Sequence, residues 1–340
     1  MADVGEYRFR PAWWLPGSHA QTLWGRFARF RGPNPTALEC LATPDGDSLE
    51  LHHVDAGDTG PRVLILHGLE GSVRSHYVGG LLSQARAREW GATLLVFRGC
   101  GAAPNLARRF YHSGETRDLS HVFRALSDRW PESPWLLVGV SLGGNVLLKW
   151  LGEQGDALRG RIRAAAAVSV PFDLEAGARC ISRGVARLYD WNFLRSLRRK
   201  ALAKLERYPD LFDRAALERA RNVYEFDDAV TAPVHGFTDA HDYYTQSSSV
   251  RFLSDVHVRT LLLSAFDDPF LPPQVLERVA AIAAANASLV AEFHRSGGHV
   301  GFVAGRGDGI WPWRVSYYAE QRVFAFFDEA MERGSGKRYD

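Results

Sequence analysis

The sequence predicts an α/β fold, a mostly parallel central sheet flanked by helices with a helical cap insertion. Three observations predict it. Short continuous apolar runs, such as Val63-Leu64-Ile65-Leu66 and Thr93-Leu94-Leu95-Val96-Phe97, have the length and two-sided hydrophobicity of buried parallel strands. Segments of helical length separate these runs. One run, Trp135-Leu136-Leu137-Val138, continues through Gly139-Val140-Ser141-Leu142-Gly143 into a helix-forming stretch, the junction that lifts a serine onto a sharp strand-to-helix turn. In such a turn the residues two before and two after the serine are pressed together, so glycine at 139 and 143 avoids a side-chain clash. Read alone, the pentapeptide could equally be an ordinary Ser-Gly turn or a serine N-cap.

The chain of 340 residues can bury a large core. Its apolar and charged fractions, 46% and 24%, are those of a globular protein rather than a disordered or membrane-embedded one. Lys+Arg at 41 against Asp+Glu at 39 leaves +2, which gives no electrostatic case for nucleic acid as a partner. Cys40, Cys100 and Cys180 lie far apart and form no CxxC pair, so neither a zinc site nor a disulfide framework is implied. The start, Met1 to Arg8, has no apolar core of signal-peptide type, and no run reaches membrane-spanning length. A cytoplasmic enzyme is the expectation, with peripheral membrane contact left open.

Taken in order, Phe9 to Leu23 is aromatic and broken by proline and glycine, too irregular for a long helix and too apolar for a free tail. It reads as an arm packed on the domain, with Trp13-Trp14 in core packing rather than at a membrane surface. Two short strands between Thr36 and Val54 flank the turn Pro44-Asp45-Gly46-Asp47, whose Asp-Gly is a hairpin signal. His52-His53 on the second strand point to opposite faces and so cannot easily share a metal. A helix follows from about Tyr77 to Trp90, another near Thr116–Arg129, and a further strand over Ala164–Val170. From Pro171 to about Val256 the alternation breaks down into helical pieces. The basic run Arg195 to Lys204 within them reads as a solvated helix face. Alternation resumes at Val258–Ala265, Gln274–Ala285 and Leu289–Phe293, and a last helix spans about Val315 to Arg333. We therefore expect a single domain over 1–340. An arm occupies 1–35, the core 36–171 and 257–340, and a helical cap insertion 172–256.

A serine hydroxyl is a poor nucleophile until a histidine takes its proton, and that histidine must be held by a carboxylate. In the α/β-hydrolase fold the order is serine, acid, histidine, each at the carboxyl end of a strand. After the Ser141 turn, Leu261-Leu262-Leu263-Ser264-Ala265 ends in Phe266-Asp267-Asp268-Pro269-Phe270-Leu271-Pro272. The strand Leu289–Phe293 then leads to Gly297-Gly298-His299-Val300-Gly301. Asp268, in the Asp-Pro-x-x-Pro form of the acid turn, is chosen over Asp267, which becomes a turn or capping carboxylate. Position after the last core strand selects His299 from among 12 histidines, above His294, His257 and His241. The oxyanion donors expected are the backbone N–H groups of Leu142, next after the serine, and of Leu69, following His67-Gly68. Gly99-Cys100-Gly101-Ala102-Ala103-Pro104 fails the dinucleotide fingerprint at its third glycine, and no P-loop ending is present, which argues against nucleotide binding.

These motifs together resemble the YheT-like hydrolases, AB hydrolase family 4. The resemblance runs through His19-Ala20-Gln21-Thr22-Leu23, His67-Gly68-Leu69-Glu70-Gly71-Ser72, Phe97-Arg98-Gly99-Cys100-Gly101 and Tyr111-His112-Ser113-Gly114. It continues in Gly139 to Asn145, Phe226-Asp227-Asp228, Asp242-Tyr243-Tyr244, Asp267-Asp268-Pro269-Phe270 and Gly298-His299-Val300-Gly301-Phe302. It covers nearly the whole chain, and the family's charge-relay residues fall on Ser141, Asp268 and His299. It implies a serine hydrolase cleaving carboxylic esters, short- or medium-chain acyl esters or acylglycerols, through an acyl-enzyme. The partner is a small-molecule ester, and no cofactor or metal is needed. An acyltransferase with the same three residues and a non-catalytic binding module on the same fold are the competing readings. Trp191, Phe193, Tyr243 and Tyr244 of the cap either wall an acyl pocket or pack as buried aromatics.

Overall fold

Apolar and alternating runs pair into one eight-stranded sheet in this computed structural model, which describes residues 9–29, 35–55, 57, 59–305 and 315–334. The expectation for the start of the chain, residues 1–8, lies outside them, as do residues 30–34 of the arm. The strands are β1 (Ala37–Ala42), β2 (Ser48–Val54), β3 (Arg62–Leu66), β4 (Gly91–Val96), β5 (Trp135–Val140), β6 (Ile162–Val168), β7 (Thr260–Ala265) and β8 (Leu289–His294). Their order is β1-β2-β4-β3-β5-β6-β7-β8. β1 pairs antiparallel with β2 and β2 with β4, and every pair from β4 to β8 is parallel. β3, β4, β5 and β7 are buried at every residue, which is why their sequences are continuous rather than alternating. One core lies between the sheet and the helices α3 (Arg117–Arg129), α4 (Leu142–Gln154) and Pro273–Ala285. The second lies on the opposite face, under α2 (Val78–Ala87) and the C-terminal helix Tyr318–Gly334.

The β1–β2 hairpin closes at Gly46, whose φ of 76° is the left-handed conformation the Asp-Gly signal anticipates. A buried guanidinium anchors this turn to the rest of the fold. Arg98, at the end of β4, bonds Asp118 of α3 and both Asp45 and Asp47 of the turn.

The arm differs from expectation in two ways. It contains an 11-residue helix, α1 (Ser18–Ala28), beginning after Gly17, a residue with no side chain to cap it, so the usual start signal is missing. Trp13 is 71% exposed instead of packing in a core, while Trp14 meets Trp24 edge-on at 4.7 Å. The last helix also starts at Tyr318 rather than Val315, because Val315–Tyr317 forms a short antiparallel pair with Val303–Gly305.

Residues 172–256 leave the sheet between β6 and β7. They form α5 (Leu174–Ile181), α6 (Arg187–Arg207) and the short helices Arg214–Arg219, Val223–Phe226, Ala232–His235 and Ala240–Ser247. Short helices need side-chain caps, and here Asp173, Asp213, Asn222 and Asp239 each accept a first-turn N–H. The basic run on α6 is not simply solvated. Lys204 is 6% exposed and donates to the side chain of Asn105 and to the carbonyls of Asn105 and Ala107, and Lys200 pairs with Glu70 at 2.7 Å. Among the described residues no helix is long and apolar enough to cross a membrane.

Candidate active site

Ser141 sits between β5 and α4 with φ 55° and ψ −122°, a backbone conformation that a non-glycine residue holds only under constraint. The constraint is steric and polar together. A Cβ on Gly139 would lie 2.4 Å from the Gly143 carbonyl oxygen, and one on Gly143 would lie 2.5 Å from that of His67. The Ser141 N–H donates to the Val168 carbonyl at 2.8 Å, holding the turn to the next strand.

The loops after β7 and β8 bring Asp268 and His299 to this serine. His299 Nε2 lies 2.9 Å from Ser141 Oγ, and His299 Nδ1 lies 2.9 Å from Asp268 Oδ2. A carboxylate only accepts, so Nδ1 carries the hydrogen and Nε2 is left to accept from the serine hydroxyl. The side chains of His299 and Asp268 are 10% and 4% exposed, and the Phe270 ring stacks on the imidazole at 4.0 Å, screening it from water. Asp268 also accepts from the Phe270 N–H at 2.8 Å. Asp267 points elsewhere. It accepts from the Gly298 N–H at 2.9 Å, and burial raises its pKa above the ordinary carboxylate value.

Leu142 is the first residue of α4, where helical amides have no carbonyl four residues back. Leu69 follows Gly68, and both residues lie in the loop after β3. Among the described residues neither the Leu69 nor the Leu142 amide has a hydrogen-bond acceptor. The loop is fixed from beneath. His67, fully buried, donates from Nδ1 to the Gly68 carbonyl and accepts the Phe97 N–H, and burial lowers its pKa to about 4, keeping it neutral. Tyr77 Oη accepts the Gly68 N–H at 2.7 Å.

Ser141 and His299 open into a cavity between the sheet edge and the cap. Its walls are largely apolar and include Leu142, Ile181, Phe193, Val223, Tyr243 and Tyr244. Three of the cap aromatics thus line it, while Trp191 is 59% exposed to solvent. At its cap end Asp227 accepts from Tyr244 and Thr231, and burial raises its pKa to about 6. Among the described residues no group of three His, Cys, Asp or Glu side chains could hold a metal.

Residues 61–305 match the family described as alpha/beta hydrolase fold. The chain belongs to that family. It is 37% identical over 312 residues to the Escherichia coli K12 protein named "Putative esterase YheT", covering 89% of this chain and 90% of that one, so the YheT-like resemblance holds over nearly the whole length. It is 30% identical over 335 residues to "Phospholipase ABHD3" of Mus musculus, covering 95% of this chain and 78% of that one. Among solved structures, the Pyrococcus furiosus esterase Pf2001 superposes with a TM-score of 0.56 at 16% identity, covering 88% and 98% of the two chains, a likeness of fold.

Within this α/β hydrolase, two motifs without a chemical role in the sequence acquire one as supports. Gln21 accepts the Val303 N–H at 2.7 Å and donates to its carbonyl at 3.2 Å, and Thr22 Oγ accepts the His299 N–H at 2.9 Å. The arm therefore brackets the histidine loop. Tyr111 accepts the Glu70 N–H and donates to the Glu70 carboxylate, and the Ser113 N–H donates to Tyr243 of the cap. His112 lines the cavity with its ring 4.4 Å from that of His235. Asn145, at the end of the serine motif, is a further support. It donates to the carbonyls of Ser113 and Ser247 and accepts from the Ser249 N–H, tying α4 to the end of the cap.

Proposed function

We propose that this protein hydrolyses short- and medium-chain acyl esters or acylglycerols, with Ser141 as nucleophile, His299 as general base and acid, and Asp268 as the carboxylate that orients the imidazole. That it is an ester-cleaving hydrolase of the esterase and lipase type follows from its family and relatives. The observation that carries the finer reading is the hydrogen-bonded chain Ser141–His299–Asp268 opening into an apolar cavity.

The chemistry follows from that geometry. Ser141 Oγ attacks the acyl carbonyl as His299 Nε2 takes its proton. The tetrahedral oxyanion accepts from the amides of Leu69 and Leu142, which need no reorganisation as charge develops. The imidazolium, stabilised by Asp268, gives its proton to the departing alkoxide. Water activated by the same nitrogen then releases the acid from the acyl-enzyme. The cavity accepts the acyl chain by burying its methylenes, each contributing about 0.8 kcal/mol.

Hydrolysis of p-nitrophenyl esters from acetate to palmitate tests this. Activity should peak at one chain length and fall at least ~10³-fold in Ser141→Ala. Turnover of equal size in the variant would remove Ser141 from the mechanism. A serine-directed fluorophosphonate that leaves folded protein unlabelled would instead favour the non-catalytic reading.

A further inference from the structure

A second cleft opens beside the catalytic cavity and shares three of its walls, Leu69, Glu70 and Phe193. Its other side carries Arg26 from the last turn of α1 and Arg195 and Arg199 from α6. Several other arginines are paired with carboxylates, among them Arg29 with Glu320, Arg88 with Asp328 and Arg129 with Glu39. Among the described residues Arg26, Arg195 and Arg199 have no carboxylate partner. The one acid in the cleft is already engaged, since Glu70 accepts from Tyr111, Lys200 and Ser196. Residues 195 and 199 stand four apart on one helix face, where like charges repel. Three unneutralised guanidiniums thus converge on a concave surface, and the guanidinium fork suits the oxygens of a phosphate or carboxylate.

We infer that this cleft is the subsite for an anionic group, a phosphate or carboxylate, on the alcohol portion of the ester substrate. The inference rests on the ester-hydrolase reading and adds a substrate class to it. With the carbonyl oxygen held at Leu69, the acyl chain fills the apolar cavity. The alcohol portion then leaves across the wall formed by Leu69 and Phe193, into the basic cleft. The same face of α6 continues into Leu188 and Trp191, 69% and 59% exposed, which suits an amphiphile whose charged head meets the arginines.

The test compares 1-octanoylglycerol with 1-octanoylglycerol 3-phosphate, both below their micelle concentrations. The wild type should prefer the phosphate ester. The ratio of the two kcat/KM values should fall at least tenfold in the triple variant Arg26→Gln, Arg195→Gln, Arg199→Gln, and should fall in the wild type as salt is raised. Arg278→Gln, an exposed arginine on the helix Pro273–Ala285, should leave the ratio unchanged. Thermal melting confirms that the triple variant is folded. An unchanged ratio in that folded variant overturns the subsite while leaving the hydrolase reading intact. If the wild type cleaves neither ester yet calorimetry shows the phosphate amphiphile bound to it and not to the triple variant, the hydrolase reading fails and the anion site stands. Inorganic phosphate binding as tightly as the amphiphile assigns the arginines to the free ion and overturns the head-group assignment. Loss of binding to vesicles containing phosphatidylglycerol, with the ratio on monomeric substrates unchanged, makes the face a bilayer contact and likewise overturns it.

Discussion

Replacing Gln21 by Leu should slow catalysis although Gln21 touches none of the reacting atoms. Gln21 is 1% exposed and bonded to both backbone groups of Val303, four residues after His299. Leu conserves much of the volume but leaves the Val303 N–H buried without an acceptor, at a cost of about 1–3 kcal/mol. The Val303 carbonyl keeps one donor, the Ala12 N–H at 2.9 Å, so its loss is nearer ~1 kcal/mol. The loop has reason to relax, because Val300 and Phe302 hold φ of 59° and 41°, each a strained conformation of about 1–3 kcal/mol that its surroundings must maintain. If about 1.4–2.8 kcal/mol of this reaches the placement of His299, kcat falls roughly 10- to 100-fold. The cavity walls are untouched, so KM should change little. Steady-state kinetics on the best p-nitrophenyl ester, with melting followed by circular dichroism, measures both quantities. A folded Gln21→Leu enzyme with wild-type kcat would refute the bracket.

Asp268→Asn should lower kcat by about 10⁴, because asparagine cannot hold the required imidazole tautomer. Asp267→Asn can still accept the Gly298 N–H and should lose less than about tenfold; equal losses would reverse the assignment. Arg98→Ala leaves Asp45, Asp47 and Asp118 without their shared cation and should cost about 3–5 kcal/mol, seen as a melting temperature lowered by roughly 4–7 °C. A shift within a degree would show that the network adds no stability. Burial lowers the pKa of His67, His76 and His235 to about 4 and that of His112 well below its ordinary value. Their folded pKa values lie below the unfolded 6.5, so the stability they contribute is full above pH 6.5 and is lost as pH falls towards 4. Asp227 works the other way, its raised pKa of about 6 favouring the folded state at lower pH. Denaturant titrations at pH 5 and 7 should therefore show proton uptake on unfolding at pH 5. A stability constant across that range would contradict neutral buried histidines.

The sheet was legible because burial on both faces leaves no polar residue to interrupt β3, β4, β5 and β7, and each run ends in its own turn chemistry. The positions of Ser141, Asp268 and His299 were legible because each follows an apolar strand in the order the fold requires. The arm was less so. Its helix begins without a capping side chain, and its purpose is a contact 282 residues away, Gln21 with Val303, which no local pattern encodes. The basic run on α6 misled for a related reason. Lysine reads as solvated by default, but the carbonyls of Asn105 and Ala107 lie within reach of Lys204 and satisfy its ammonium, which burial brings down to a pKa of about 8. Trp13 fails in the opposite sense, since nothing in a doubled tryptophan says that one ring will stay outside.

The supports of the site share one arrangement, which bears on how the cap acts. Each strained element is held by a side chain from a distant part of the chain. Thr22 and Ser169 take the amides of His299 and Val300, with Ser169 Oγ 3.0 Å from the Val300 nitrogen. Asn145 joins α4 to the end of the cap, and Glu70 joins the Leu69 loop to α6 through Lys200 and Ser196. The cap is thereby bonded to the same two segments that carry the Leu142 and Leu69 amides. Swinging α6 away from the sheet would break the Glu70–Lys200 pair and release the loop bearing Leu69. Under the proposed mechanism, shaping the cavity and presenting the Leu69 and Leu142 amides are therefore coupled. Substitutions at Lys200 should change kcat through the placement of Leu69 as well as altering which acyl chains fit, so chain-length preference and turnover will not vary independently.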